Sequence, residues 1–166
     1  MKNEKGFSLI ELLIVVAIIG IIAAIAIPNL LKSRQAANEA SAIGSTRTLG
    51  TAQATYQSTR GKGKDFALGM AELVADNAID TALGNAPNHK SGFLFECVGV
   101  WSDGATGTPS YFDTTASPLS VGNFGTGNRS FYSNETFVVY QQDGQVAGPW
   151  AVYPNRLPAA PAVPIE

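Results

Sequence analysis

The feature that most constrains this chain is an unbroken apolar run near its N-terminus. The sixteen residues from Leu12 to Ile27 read LLIVVAIIGIIAAIAI and include no polar side chain. Together with the five residues that precede them, they would form a helix of roughly 31 Å, close to the ~30 Å hydrocarbon core of a bilayer. A strand of that length lies far outside the usual range. The run therefore predicts a membrane-spanning helix.

Three interpretations of this helix are open from the residues alone. A cleaved secretory signal fits the Lys-bearing start and the small-x-small site at 24–26, and it predicts a mature chain that starts near Ile27. A plain signal anchor is the second. The third is indicated by Glu11, because a carboxylate in the apolar part of a bilayer is costly, by about 2.5–3.5 kcal/mol at its centre and less near the interface. Glu11 therefore needs a cationic partner.

The stretch Gly6-Phe7-Ser8-Leu9-Ile10-Glu11, followed by the apolar run and by Pro28, resembles the N-terminus of type IV pilins and of type II secretion pseudopilins. The resemblance implies a leader at 1–6 that a prepilin peptidase removes between Gly6 and Phe7, and N-methylation of the new N-terminal Phe7. Glu11 becomes the fifth residue of the mature chain, the acidic position that the family uses in assembly. The resemblance also places the leader in the cytoplasm and the part of the chain after the membrane-spanning helix outside the inner membrane.

Helix formers continue past the apolar run, which predicts one long helix from about Phe7 to Thr59. Pro28 removes one intrahelical hydrogen bond, so a kink is expected there. The part 7–28 would be the transmembrane and filament-core half, and 29–59 the amphipathic half. An apolar stripe on that second half is expected to lie on a small sheet, and it comprises Ile43, Leu49 and Tyr56.

The remainder predicts an α+β head over 60–153 and a Pro-rich tail over 154–166. The Gly/Lys cluster 60–65 lacks the spacing of a phosphate-binding loop and indicates a solvated connector. One or two short helices are expected within Phe66–Ile79, and a turn within Gly84–His89.

Three to five antiparallel strands in consecutive order are expected to form a meander on the helix. The predicted strands are Gly92–Trp101, Tyr111–Thr115, Arg129–Ser133 and Thr136–Gln142. A hairpin turn is expected at Asn134-Glu135, and a further turn at Asp143-Gly144 leads to Val146 and Trp150. The tail, Pro154–Glu166, is expected to be extended or loosely ordered. The predicted whole is a lollipop, a long helix packed on a small antiparallel sheet.

The chain carries no recognisable catalytic set. One Cys and one His exclude an intramolecular disulfide, a multi-thiolate metal site and a two-His zinc site. Cys97 is expected to be a buried small hydrophobe and His89 an exposed loop residue. A net charge of -2 gives no basic surface for nucleic acid. The chain is predicted not to be an enzyme and to hold no cofactor, apart from a candidate structural Ca²⁺ at Asp103 and Asp113.

The predicted function is that of a structural subunit. Its apolar helices would bundle into the core of a helical homopolymer, and the Phe7 amine of one copy would meet Glu11 of another. Implied partners are the prepilin peptidase and N-methyltransferase, an inner-membrane assembly platform and inner-membrane lipid. A pilin is ranked first and a type II secretion pseudopilin second. The absence of paired cysteines slightly favours a pseudopilin or a disulfide-free pilin, whereas the stretch after Tyr56 does not resemble a major pseudopilin. A membrane-anchored binding domain that never polymerises is the third alternative.

Overall fold

The structure is a computed structural model that describes residues 6–105, 107–146 and 162–165. Within them one long helix, α1 (Leu9–Thr59), carries a head of two short helices and an antiparallel sheet. The predicted α+β lollipop is thus confirmed. Leader residues 1–5, Trp150 and most of the predicted tail (154–161 and 166) lie outside the described residues.

The helix α1 is continuous over 51 residues, as the sequence predicted within two residues at its start. It begins after the N-cap Ser8, whose backbone N–H donates to Glu11 Oε2 at 2.9 Å. It runs through Pro28 without interruption and ends at Thr59. Pro28 lacks the N–H that would close one turn of the helix. The expected kink at this point remains a prediction.

Two short helices follow, α2 (Met70–Ala75) and α3 (Thr81–Gly84). The first lies within the predicted segment, whereas the second begins after it and ends at the start of the predicted turn. The start of α3 is set by its N-cap, because Asp80 Oδ1 accepts from the backbone N–H of Leu83 at 2.7 Å and stabilises the first turn of the helix.

The sheet is a meander in which each strand pairs antiparallel with the next along the chain, as predicted. The structure has two strands that were not predicted, each two residues long and each at an edge of the sheet. One of them, Val163–Pro164, belongs to the Pro-rich tail. The strands are β1 (His89–Lys90), β2 (Phe93–Val100), β3 (Tyr111–Pro118), β4 (Arg129–Asn134), β5 (Val139–Asp143) and β6 (Val163–Pro164).

The prediction that the fourth strand begins at Thr136 is wrong. The side-chain oxygen of Asn134 accepts from both the N–H and the hydroxyl of Thr136, at 3.1 and 2.7 Å. The turn continues to Phe137, whose φ is +58°. This left-handed backbone departs from the extended conformation of a strand, and β5 starts two residues later, at Val139.

The core lies between the sheet and the second half of α1. Alternate residues of β2 point inward, so Phe93, Phe95 and Cys97 are all buried. Gly99 continues this face where the connector crosses it, and a Cβ there would stand 2.0 Å from the carbonyl oxygen of Ala67. Only glycine allows that approach.

Candidate functional site

The first half of α1 is not covered by any other part of the chain that the structure describes. Fifteen large apolar side chains between Phe7 and Leu30 are exposed, and the most apolar 18-residue window of α1 is 0% buried. Burying that many such side chains is worth roughly 20–45 kcal/mol. By length and composition this is the one helix, in the part of the chain that the structure describes, that could cross a membrane. The half-helix therefore requires lipid or other apolar helices around it.

Glu11 stands at the entrance to this exposed half. Its carboxylate accepts from the Ser8 N–H, which satisfies one of the free amides of the first turn. Phe7, the predicted mature N-terminus, is 86% exposed beside it. A carboxylate accepts several hydrogen bonds, so the same group can also accept from an amine. The structure does not test the predicted cleavage at Gly6 or the methylation of Phe7.

The second half of α1 meets the head along a face that we call the seam. Its spacing of three and four residues follows one side of the helix, but more than half of its members are polar. The predicted stripe is correct for Leu49, whereas Ile43 and Tyr56 are only partly buried at its margins. The buried seam comprises Gln35, Glu39, Ala42, Thr46, Leu49 and Gln53.

An ion pair joins α1 to β4 at one end of the seam. Glu39 Oε2 accepts from Nε and Nη2 of Arg129, at 3.0 and 2.6 Å. The other oxygen, Oε1, accepts from the backbone N–H of Asn128 at 2.8 Å. Glu39 is 8% exposed at its side chain and Arg129 39%. Three charge-assisted bonds thus fix the head to the helix from one carboxylate.

Gln53 fixes the other end of the seam. Its amide accepts from the N–H of Ala67 at 2.8 Å and donates to the carbonyl of Ala67 at 3.1 Å. The same Nε2 lies 3.1 Å from Sγ of Cys97. The side-chain amide of Gln53 therefore pairs with both backbone groups of Ala67, as a neighbouring strand would, and holds the segment after the connector on α1. Sequence reasoning did not identify Gln53 or Glu39, although their spacing of two heptads is a signal that polar residues share one face.

Cys97 is a buried thiol, as predicted. Burial raises the pKa of the Cys97 thiol from 9.0 to about 11, while the hydrogen bond from Gln53 lowers it to a smaller extent. At pH 8 the thiolate fraction falls by about 100-fold, so we expect alkylation of folded protein to be slower by that factor than in urea. A folded-state rate within a few-fold of the unfolded rate would contradict this burial.

The same pKa difference predicts a loss of stability at high pH. Because the folded-state pKa lies above the unfolded one, the contribution is complete below about pH 9 and is lost as the pH rises through about 11. Thermal unfolding of the full chain in detergent at pH 8 and 10.5 measures this loss. The Cys97→Ala variant, compared at both pH values, should show a smaller drop.

The calcium prediction is not decided by the geometry. Asp103 Oδ1 accepts from the N–H of Ala105 at 2.8 Å, and Asp113 Oδ1 accepts from the Tyr132 hydroxyl at 2.6 Å. Within 6–105, 107–146 and 162–165, no three His, Cys, Asp or Glu side chains lie close enough to hold a metal together. His89 is exposed, as expected, but it lies in β1 and not in a loop, because it pairs with Leu94 of β2.

Comparisons with known proteins bear on the N-terminal segment. The family model described as the prokaryotic N-terminal methylation motif matches residues 1–27. Residues 1–27 therefore carry a segment of the type that this model describes, and the relatives that resemble the chain over its N-terminal part are type IV pilins. Of similar proteins, the type IV major pilin protein PilA of Myxococcus xanthus is 49% identical over 65 residues, 39% of this chain and 30% of that protein.

Two shorter matches agree with the pilin-type segment. The type IV wide pilus major component PilA4 of Thermus thermophilus is 67% identical over 39 residues, 24% of this chain and 30% of that protein. A fimbrial protein of Pseudomonas aeruginosa is 79% identical over 29 residues, 18% of this chain and 19% of that protein. The matched stretches thus span less than a third of these relatives. No solved structure matches the chain.

Proposed function

We propose that this chain is a structural subunit of a type IV pilus-like filament. In this proposal it waits in the inner membrane with its N-terminus in the cytoplasm, loses the leader between Gly6 and Phe7, and is N-methylated at Phe7. The observation that carries the proposal is the exposed half of α1 with a carboxylate at its entrance, joined to a pilin-type methylation segment. The role is structural and not enzymatic.

The energetics support exchange between membrane and filament. Lipid tails are as apolar as the helix surface, so moving the exposed half from lipid into a bundle of the same helices costs little in hydrophobic terms. What changes is the surroundings of Glu11, which can exchange interfacial water for the N-terminal amine of a neighbouring copy. Contacts that repeat head to tail without closing produce an open helical assembly.

The proposed partners follow from this route. A prepilin peptidase with N-methyltransferase activity would process the leader, and an inner-membrane assembly platform would move the subunit from lipid into the filament. We keep a structural Ca²⁺ at Asp103 and Asp113 as a proposal that isothermal titration of the purified chain would test.

A type II secretion pseudopilin is the alternative, favoured by the single cysteine of the chain, which rules out an internal disulfide. Electron microscopy of material sheared from intact cells separates the two. A pilin gives filaments outside the cell that contain this chain. A pseudopilin leaves the sheared fraction without it and keeps the chain in the periplasm. If the chain is monomeric in both the sheared material and the periplasm, a filament role is contradicted.

A further inference from the structure

The loop between β3 and β4, residues 119–128, is here called the Phe124 loop. It contacts α1 nearer to the apolar half than the other hydrogen bonds of the head do. Nε2 of Gln35 donates to the carbonyls of Gly122 and Gly125, at 2.6 and 3.1 Å. Below this contact a cavity of about 570 Å³ separates the loop from α1. Its helix side is lined by Ile27, Pro28, Leu31, Lys32 and Gln35.

The loop is held in one shape by hydrogen bonds. Asn38 Nδ2 donates to the carbonyl of Thr126 at 2.9 Å. The N–H of Gly122 donates to Asn128 Oδ1 at 3.1 Å, and the N–H of Gly125 donates to the carbonyl of Gly122 at 3.0 Å. These bonds lie on both sides of the loop tip and fix its position on α1.

The tip nevertheless presents apolar side chains to the outside. Phe124 is 85% exposed, and Leu119 and Val121 are 42% and 48% exposed. Burying a phenylalanine is worth about 1.5–3 kcal/mol, which the folded subunit forgoes here. A fixed loop that exposes a phenylalanine to this extent, with two further half-exposed apolar residues in the same loop, points to a contact with another apolar phase.

The position of the loop along α1 indicates which phase that is. Ile27 is the last residue of the apolar run, and Lys32 lies five residues later, about 7–8 Å further along the helix. The headgroup layer of one leaflet is about 5–8 Å thick. The part of the cavity between Ile27 and Lys32, which Phe124 also lines, therefore lies at the level of the lipid headgroups when the apolar run spans the bilayer. Aromatic side chains concentrate at that level.

We propose that the Phe124 loop is a second membrane contact of the unassembled subunit. Phe124 enters the boundary between headgroups and acyl chains, and the cavity beside Pro28 accepts a phospholipid whose phosphate meets Lys32. This inference rests on the membrane anchoring in the proposed function. Lipid fits better than a second copy, because the cavity continues the lipid-facing surface of the span and carries a cationic side chain at phosphate level.

A second membrane contact would fix the orientation of the head relative to the bilayer. A subunit with one spanning helix can tilt and rotate about it, whereas a second contact beside the helix holds the head at one height and one rotation. The subunit then waits with a defined face toward its neighbours. Release of the Phe124 loop would accompany extraction into the filament.

The test uses full-length chain in vesicles of phosphatidylcholine and phosphatidylglycerol. An environment-sensitive fluorophore is attached at Phe124→Cys in a Cys97→Ala background, and quenching by brominated phospholipid is measured. The matched control is Val98→Cys, which is 59% exposed on β2. Its neighbour Cys97 contacts Gln53, about 27 Å beyond Gln35 along α1.

The expected result is quenching about threefold stronger at position 124 than at 98, unchanged as lipid is added in excess. Equal, weak quenching at both positions would overturn the inference, and so would a signal at 124 that disappears on dilution in lipid, which indicates a second copy. Flotation of the labelled chain with the vesicles reports separately whether the spanning helix is anchored in the membrane. A chain that floats without quenching leaves the proposed function standing, whereas a chain that does not float overturns both.

Discussion

Cells that express only the Glu11→Leu variant are expected to insert and process the subunit normally and to assemble no filaments. In the proposed core the N-terminal amine of each mature subunit meets Glu11 of a neighbour. Leucine would leave that ammonium unpaired among apolar helices, at a cost of about 3–5 kcal/mol per subunit. A penalty of 3 kcal/mol already weakens each addition by more than about 100-fold. Counts of filaments in sheared fractions measure the effect.

The Glu11→Gln variant separates charge from helix capping. Glutamine can accept from the Ser8 N–H as glutamate does, so it keeps the first turn of α1 while it removes the charge. We expect it to fail in assembly like leucine. Ile10→Leu, an apolar exchange on the neighbouring residue, should assemble normally. Filaments at wild-type density from either Glu11 variant would contradict the pairing.

The second large effect is expected at the seam, from Arg129→Ala. The carboxylate of Glu39 would stay buried with only the Asn128 N–H as a partner. Loss of one partner of a buried pair costs about 3–5 kcal/mol. Because the Arg129 side chain is 39% exposed, we expect about 2–3 kcal/mol of lost unfolding free energy. Thermal unfolding of the full chain in detergent, followed by near-ultraviolet circular dichroism, measures it.

Two further variants test the cause. In Glu39→Gln with Arg129→Met the buried charge is removed with its partner while the glutamine oxygen can still accept from the Asn128 N–H, so stability should return to within about 1 kcal/mol of the parent. Arg47→Ala, an exposed arginine on the same helix, should change the unfolding free energy by less than about 0.5 kcal/mol. If Arg129→Ala unfolds like Arg47→Ala, the ion pair does not hold the head on the helix.

The parts of the fold that depend on local pattern were predictable from the sequence. The long helix follows from an apolar run longer than a strand, and β2 from a short, mostly apolar stretch around Phe95. The added strands β1 and β6 were not predictable, because each is two residues long and exists only through pairing with an established neighbour. The start of β5 depends on a side-chain bond of Asn134, which no periodicity records.

The candidate site divides in the same way. Glu11 is conspicuous in sequence because it is acidic at the edge of an apolar run. Glu39 and Gln53 look like ordinary solvent-facing helix residues, and a search for an apolar stripe passes over them. Their burial depends on partners 90 and 14 residues away, Arg129 and Ala67. The exposed position of Phe124 likewise follows from the way Gln35 holds the loop.

The most direct test of the central claim is the mass of the N-terminal peptide from surface or membrane fractions. We expect a chain that begins at Phe7 and carries one methyl group on its α-amine, which leaves a cationic terminus one helical turn from Glu11. A peptide that begins at Met1, or a mature start near Ile27, would contradict it, since neither places an amine where the carboxylate needs one.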